Sequence, residues 1–347
     1  MYVISEIDGH KLFLPPPKHQ KNGPGKWKNN VRANLEFIQE NSPLHPKSRI
    51  TGSFIYAHPP NYQGICTLGF TAGDWTRELR KLKALGMDTV IFQAALWNEL
   101  EECYYPSEEF RNYRTWNVIE PMLEAASGLG LRVFLGGYGS VTCWMDKLDR
   151  DLVETEKRRQ LKCFQELMRY KGLFHGFYFA PESAFTGERD SRRESFLNSL
   201  YGELFQEIKS IDSSLQILMS PATFYYPDGR MRLMGEAWNA LLQGVPLDIL
   251  APQDSIGCSC ITLEHQDEAY RNWKAVCAEN RIHLWANIEV FDLREPLGSA
   301  QARCPALPDR VVAQINNAAP HVEKMITWEG LYYFSGEGEA LRKRLFE

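Results

Sequence analysis

An eightfold recurrence restricts the fold of this chain more than any other feature. A short apolar run followed by an amphipathic helical stretch repeats over most of the 347 residues. The runs fall at 52–56, 89–93, 132–136, 176–180, 216–220, 247–251, 283–287 and 324–328. Their spacing of roughly 30 to 45 residues fits a strand, a helix and two loops per unit, and parallel strands need connections of that length. Eight units without a break point to closure, so the expected class is α/β, a (β/α)8 TIM barrel. An open doubly wound sheet is the competing solution. It is disfavoured because no GxGxxG or GxxxxGKS/T element follows the first run.

The helices read as 74–85, 115–129 and 151–170, closed by Gly86, Gly130 and Gly172, then 193–211, 231–243, 263–280, 308–319 and 337–346. Trp75, Leu79, Leu82 and Leu85 recur at helical spacing, and Asp74 is placed to cap that helix. Residues 1–48 contain Pro15, Pro16, Pro17, Gly23, Pro24, Gly25 and Pro43, with one helical stretch near 31–40. They are too short and too interrupted for a core of their own, so they read as an N-terminal extension covering the bottom or flank of a barrel spanning 49–347.

Charged residues make up 24% and the formal net charge is −5. Acids and bases are interspersed, which excludes the basic stripe a nucleic acid needs. No stretch stays apolar for about 18 residues, and the first residues lack a basic segment followed by an apolar one. The expectation is a soluble cytoplasmic protein with no membrane partner. The eight cysteines lack paired CxxC spacing, and Cys258-Ser259-Cys260 has no second motif to complete a metal site. With no HxH, HExxH or GxSxG element either, no metal and no cofactor are expected.

Two glutamates carry the functional signal. Glu182 closes Phe177-Tyr178-Phe179-Ala180-Pro181-Glu182, and Glu289 closes Leu284-Trp285-Ala286-Asn287-Ile288-Glu289. Alternation along a strand puts Tyr178, Ala180 and Glu182 on one face, and Trp285, Asn287 and Glu289 on one face. Both carboxyl groups are then expected at the C-terminal mouth of strands four and seven, where barrel enzymes keep their chemistry. Two carboxyl groups, one donating a proton and one attacking, are what hydrolysis of a glycosidic bond with retention requires.

The segments 177–182, 248–257 and 285–291 resemble a bacterial barrel family catalogued as domain of unknown function 4434, described as glycosidase-like. The likeness runs from about Thr51 to Trp328, and Pro252-Gln253-Asp254-x-x-Gly257 is its most specific part. The wider plan is similar to that of the clan A glycoside hydrolases, retaining (β/α)8 enzymes. That resemblance implies Glu182 as acid/base, Glu289 as nucleophile and Trp328 as a sugar platform. Clan members usually carry asparagine before the acid/base, and this chain has Pro181. Gln93, Gln253 and Asn287 are the candidates to replace that contact to the 2-hydroxyl.

Sugar rings stack their CH faces on aromatics while their hydroxyls bond polar side chains. The candidate substrate contacts are therefore Tyr56, Gln93, Trp97, Tyr138, Tyr178, Tyr225, Gln253, Asp254, Asn287 and Trp328, and the expected partner is an oligosaccharide or glycoside. Asp254 is also read as a third catalytic carboxylate, an orienter of Glu289 or the cap of a turn closed at Gly257. His58 is placed near the mouth, Glu329 stands in reserve for Glu289, and the long loop 94–114 reads as a solvated acidic rim. The alternative function is a carbohydrate-binding barrel that has lost hydrolysis, with Pro181 as its support. A barrel acting on sugar phosphates would want a glycine-rich phosphate cradle, for which only Gly298 and Gly330 are on offer.

Overall fold

In the computed structural model eight parallel strands close on themselves. They are β1 (Ile50–Ile55), β2 (Thr89–Phe92), β3 (Arg132–Gly136), β4 (Gly176–Phe179), β5 (Gln216–Met219), β6 (Ile249–Leu250), β7 (His283–Glu289) and β8 (Lys324–Trp328). Each is hydrogen-bonded to its sequence neighbours, and β8 pairs with β1 to complete the barrel. The structure describes residues 3–7, 10–14, 24–41, 45–57, 65–145, 147–294 and 303–347. His58 and Gly298 lie outside them.

Every strand contributes one residue to the lumen: Phe54, Ile91, Phe134, Tyr178, Leu218, Ile249, Trp285 and Ile326 form a single buried cluster. Their neighbours in sequence, such as Val90, Val133, Phe177, Ile217 and Met325, pack outward on the helices. Strands buried on both faces must be apolar throughout, which is why they appear in the sequence as runs and not as alternations.

Eight helices surround the barrel: α1 (Ala72–Ala84), α2 (Ile119–Gly128), α3 (Arg150–Leu167), α4 (Ser191–Ile211), α5 (Arg230–Leu242), α6 (Leu263–Asn280), α7 (Pro308–Ala318) and α8 (Glu339–Phe346). At α1 the cap is Thr71, not Asp74. Asp74 sits three residues in, its carboxylate accepting the Thr71 N–H (3.0 Å) while the Thr71 hydroxyl accepts the Asp74 N–H (3.2 Å). This capping box holds the Asp74 carboxyl down at about 2, chiefly through its hydrogen bonds with Thr71.

The extension holds an antiparallel pair, Val3–Ile7 with His10–Leu14, and a helix, Pro24–Asn41, longer than the expected 31–40. That helix lies on the flank of the barrel against α6 and α7, not across its bottom. Among the described residues no helix is long and apolar enough to cross a membrane.

At Gly136, the end of β3, a Cβ would stand 2.3 Å from the Gln93 carbonyl oxygen and 2.4 Å from that of Phe92. Backbone atoms cannot move aside as a side-chain tip can, so Gly136→Ala would pry β3 from β2. We expect a loss of about 2–4 kcal/mol, read as a lower denaturant midpoint. An unchanged midpoint would show that the β2 exit is pliable.

Candidate active site

Glu289 ends β7, and its register partner on β8 is Trp328. Its side chain is 3% exposed, and Oε2 accepts the backbone N–H of Cys258 (2.7 Å). That approach depends on the loop after β6: a Cβ on Gly257 would lie 2.9 Å from Glu289 Oε2 and 2.5 Å from the Phe291 carbonyl oxygen. The glycine of the Pro252-Gln253-Asp254-x-x-Gly257 stretch therefore lets the backbone close over the carboxylate.

Asp254 of the same stretch faces away from the lumen. Its Oδ1 accepts the Glu289 N–H (3.2 Å), and its Oδ2 accepts from Gln314 Nε2 (2.6 Å) on α7 and Gln266 Nε2 (3.4 Å) on α6. Arg310, one turn before Gln314, donates to the carbonyls of Glu289 (3.3 Å) and Phe291 (2.7 Å) and pairs with Asp292 (3.0 Å). The backbone from which Glu289 projects is thus pinned from behind. Burial raises the proton affinity of both Asp254 and Glu289, and Glu289 is pushed up to about 7 with the neighbouring Asp254 charge as the second cause.

Glu182 follows β4 by three residues, and its charge acts on the buried Tyr178 hydroxyl. Its carboxyl is also raised by burial, against a hydrogen bond from Gln253 and the positive charge of Arg303. Polar contacts run round the barrel between the two glutamates. Gln253 bonds Glu182 and donates to the Ser220 carbonyl (3.1 Å), its backbone bridges to Asn287, and Asn287 Nδ2 donates to Ser220 Oγ (3.1 Å). Asn287 Oδ1 is buried without a hydrogen-bond partner. Such an acceptor is costly unless something, a ligand hydroxyl for instance, completes it.

Trp328 is half-buried at the mouth. Its Nε1–H donates to Gln93 Oε1 (2.9 Å), and Tyr56 stacks on it with ring centroids 5.6 Å apart. The Arg303 guanidinium lies 5.0 Å from the Trp328 ring centroid and 5.2 Å from that of Phe291. It arrives on a short hairpin pairing Phe291–Leu293 with Arg303–Pro305.

The structure therefore sets Gln253 against Glu182, Trp328 opposite Glu289 on the neighbouring strand, and Tyr56 and Gln93 against Trp328, with Tyr178 in the lumen against Phe54 (5.1 Å). Trp97 packs at the top of the lumen cluster. Two further aromatics are engaged with other parts of the protein. Tyr138 is fully buried, with its hydroxyl between Asn98 (2.5 Å) and Arg159 (2.9 Å), and Tyr225 stacks on His265 of α6 at 3.7 Å. Loop 94–114 is built into a small sheet with Tyr138–Gly139, and Glu102 of the expected acidic rim is buried against the Tyr104 hydroxyl. Glu329 is buried, accepts the Tyr332 N–H and is pushed up to about 8 by burial; the Trp328–Glu329 peptide is cis. Among the described residues no three His, Cys, Asp or Glu side chains converge to hold a metal ion.

Arg303, Arg310, Gln314 and the Cys258 amide were not singled out in the sequence. A signal existed for two of them: Arg310 and Gln314 fall four apart on the face of α7 that also carries Val311 and Ile315, and polar residues on a buried face need partners.

Residues 50–336 match the family described as a domain of unknown function, DUF4434. The chain belongs to this family. No curated protein matches it. Among solved structures, this chain is similar to a protein named "putative alpha-L-fucosidase" from Bacteroides thetaiotaomicron VPI-5482. The TM-score is 0.69 at 18% identity, covering 86% of this chain and 93% of that one. The intracellular xylanase TsXylA of Thermoanaerobacterium saccharolyticum JW/SL-YS485 matches at 0.50 and 11% identity, over 82% and 87% of the two chains. The exo-beta-1,4-mannosidase Op5Man5 of Opitutaceae bacterium strain TAV5 also matches at 0.50, with 12% identity over 82% of this chain and 52% of that one. At such identities the likeness is one of fold.

Proposed function

We propose that this DUF4434 protein is a retaining glycoside hydrolase acting on a carbohydrate without a cofactor. The observation that supports the reading is a pair of carboxyl groups whose proton affinity burial raises, Glu182 following β4 and Glu289 ending β7 with Trp328 opposite it on β8. Glu289 attacks the anomeric carbon and forms a glycosyl ester while Glu182 passes its proton to the departing oxygen. Glu182 then takes a proton from the water that cleaves the ester. Asn287 Oδ1 offers an acceptor for a sugar hydroxyl, and Trp328 is left half-buried beside Arg303. The glycosidases among the solved structures lend support at the level of the barrel alone. Pro181 favours a second reading, a barrel that binds carbohydrate without cleaving it, because it brings no side-chain hydrogen bond beside Glu182.

Intact-mass labelling with activated 2-fluoro glycosides separates the two. A single adduct mapped to Glu289 is the expected result. Sugar binding by calorimetry with no adduct from any member of the panel would move the conclusion to the binding barrel.

The pH profile follows from the same carboxyl groups. Glu289 must be ionised to attack, and its proton is retained up to about pH 7. As pH falls through that value the attacking form disappears, so kcat/KM should fall tenfold per unit on the acid side, starting near pH 7. A profile still flat at pH 5 would contradict either the raised proton affinity of Glu289 or its role as the attacking group.

A further inference from the structure

The N-terminal helix Pro24–Asn41 rests on α6 and α7, the helices whose Gln266 and Gln314 hold Asp254. Two of its side chains reach further, into the segment leading from β6 to α6. Asn30 Nδ2 donates to the Ser259 carbonyl (2.7 Å). Asn34, 5% exposed, accepts through Oδ1 the N–H of Leu263 (2.8 Å), the first residue of α6. The opening amides of a helix have no partner within it. Thr262, the residue before α6, makes no side-chain cap, so the extension supplies from a distance what local sequence usually provides.

Between Asp254 and these two anchors lies Cys258, whose N–H meets Glu289 Oε2. The segment also holds Ser255 and Ser259 at φ 52° and 55°, left-handed conformations that non-glycine residues keep only when the surroundings dictate them. Asn30 bonds the carbonyl of one of these two residues.

We infer that the N-terminal helix is a positioning element of the candidate active site, in which Asn30 and Asn34 fix segment 254–263 so that the Cys258 amide stays on Glu289. The catalytic consequence rests on the reading of Glu289 as nucleophile; the coupling itself is a property of the fold. Without the Asn34 acceptor the start of α6 is left with an unsatisfied amide, the segment relaxes, and the ionised Glu289 loses a donor. Of its other charged or titratable neighbours, Arg310 on α7 and Tyr270 on α6 stay in place, while Asp254 and the Cys258 thiol belong to the segment itself.

The test uses the full chain carrying 13C-labelled glutamate, with the Glu289 carboxyl signal identified by its loss in Glu289→Gln. In Asn34→Leu and Asn30→Ala the Glu289 titration midpoint should rise by about half a pH unit, roughly threefold in proton affinity. Asn34→Asp keeps an acceptor oxygen at the helix start and should titrate as the wild type does. A lower melting temperature with an unmoved midpoint in both Asn34→Leu and Asn30→Ala overturns the inference, because it reduces the helix to packing. Should Asn34→Leu fail to fold, Asn30→Ala decides alone. Hydrolysis of a 4-nitrophenyl glycoside panel is followed alongside, with kcat and the acid limb expected to shift together. If the wild type cleaves no member while the midpoint still moves, the hydrolase reading fails and the coupling stands.

Discussion

Glu289→Gln should remove turnover and raise stability together. The substitution keeps the side-chain shape and an oxygen for the Cys258 N–H, now 2.7 Å from Glu289 Oε2, so the loop after β6 stays closed. It deletes the carboxylate proposed to attack. A fall of about four orders of magnitude in kcat is expected, on the order of 5 kcal/mol of lost transition-state stabilisation. Stability moves the other way because the native fold holds the Glu289 proton up to about 7, above the ordinary 4.5. Between those values the folded state binds more protons than the unfolded one, so stability drains away as pH rises, and the cost is complete above pH 7. Glutamine never ionises and escapes it. The melting temperature of Glu289→Gln should therefore exceed that of the wild type at pH 8 and match it more closely at pH 4. Retained turnover would remove Glu289 from the mechanism. A lowered melting temperature at pH 8 would mean that burial and the Asp254 charge do not penalise the ionised Glu289.

The strands were legible because a parallel barrel buries both faces of each one, which compresses it into an apolar run bounded by polar residues. Parity then told Trp285, Asn287 and Glu289 from Leu284, Ala286 and Ile288, and the lumen and helix-facing clusters divide in that way for Trp285 against Leu284 and Ala286. Local chemistry was ambiguous where two residues could fill one role: Thr71 and Asp74 both suit a cap, and the structure uses both in a reciprocal box. Tyr138 and Tyr225 show another limit. Aromatic character near a strand end says that a ring will be covered, but whether by a sugar, by the Arg159 guanidinium or by the His265 ring depends on segments distant in sequence.

The supports of Glu289 were the least legible part, since they come from four separate elements. Asn34 and Leu263 are 229 residues apart, as are Asn30 and Ser259, and Arg310 lies on a helix whose amphipathic pattern marks it only as misplaced. A single sequence records a candidate catalytic carboxylate beside an apolar strand. It scatters the residues that aim it, because each one is specified by a tertiary contact and none by its neighbours in the chain.

Glu182 is best tested through the leaving group. A departing dinitrophenolate is stable as an anion and needs no proton, whereas an alkoxide does. With Glu182→Ala, glycosyl-enzyme formation from a dinitrophenyl glycoside should therefore persist within about tenfold of wild type, while cleavage of an alkyl glycoside falls by about 10²–10⁴-fold. The second step also needs Glu182 to draw a proton from water, so the ester should accumulate, visible as a burst followed by slow release. Azide, a nucleophile that carries no proton to remove, should restore turnover and yield a glycosyl azide of retained configuration. Equal losses on both leaving groups, without rescue by azide, would assign Glu182 to binding. In that case burial has raised its proton affinity, against the pull of Gln253 and Arg303, for a hydrogen bond donated to the sugar and not for a proton delivered to it.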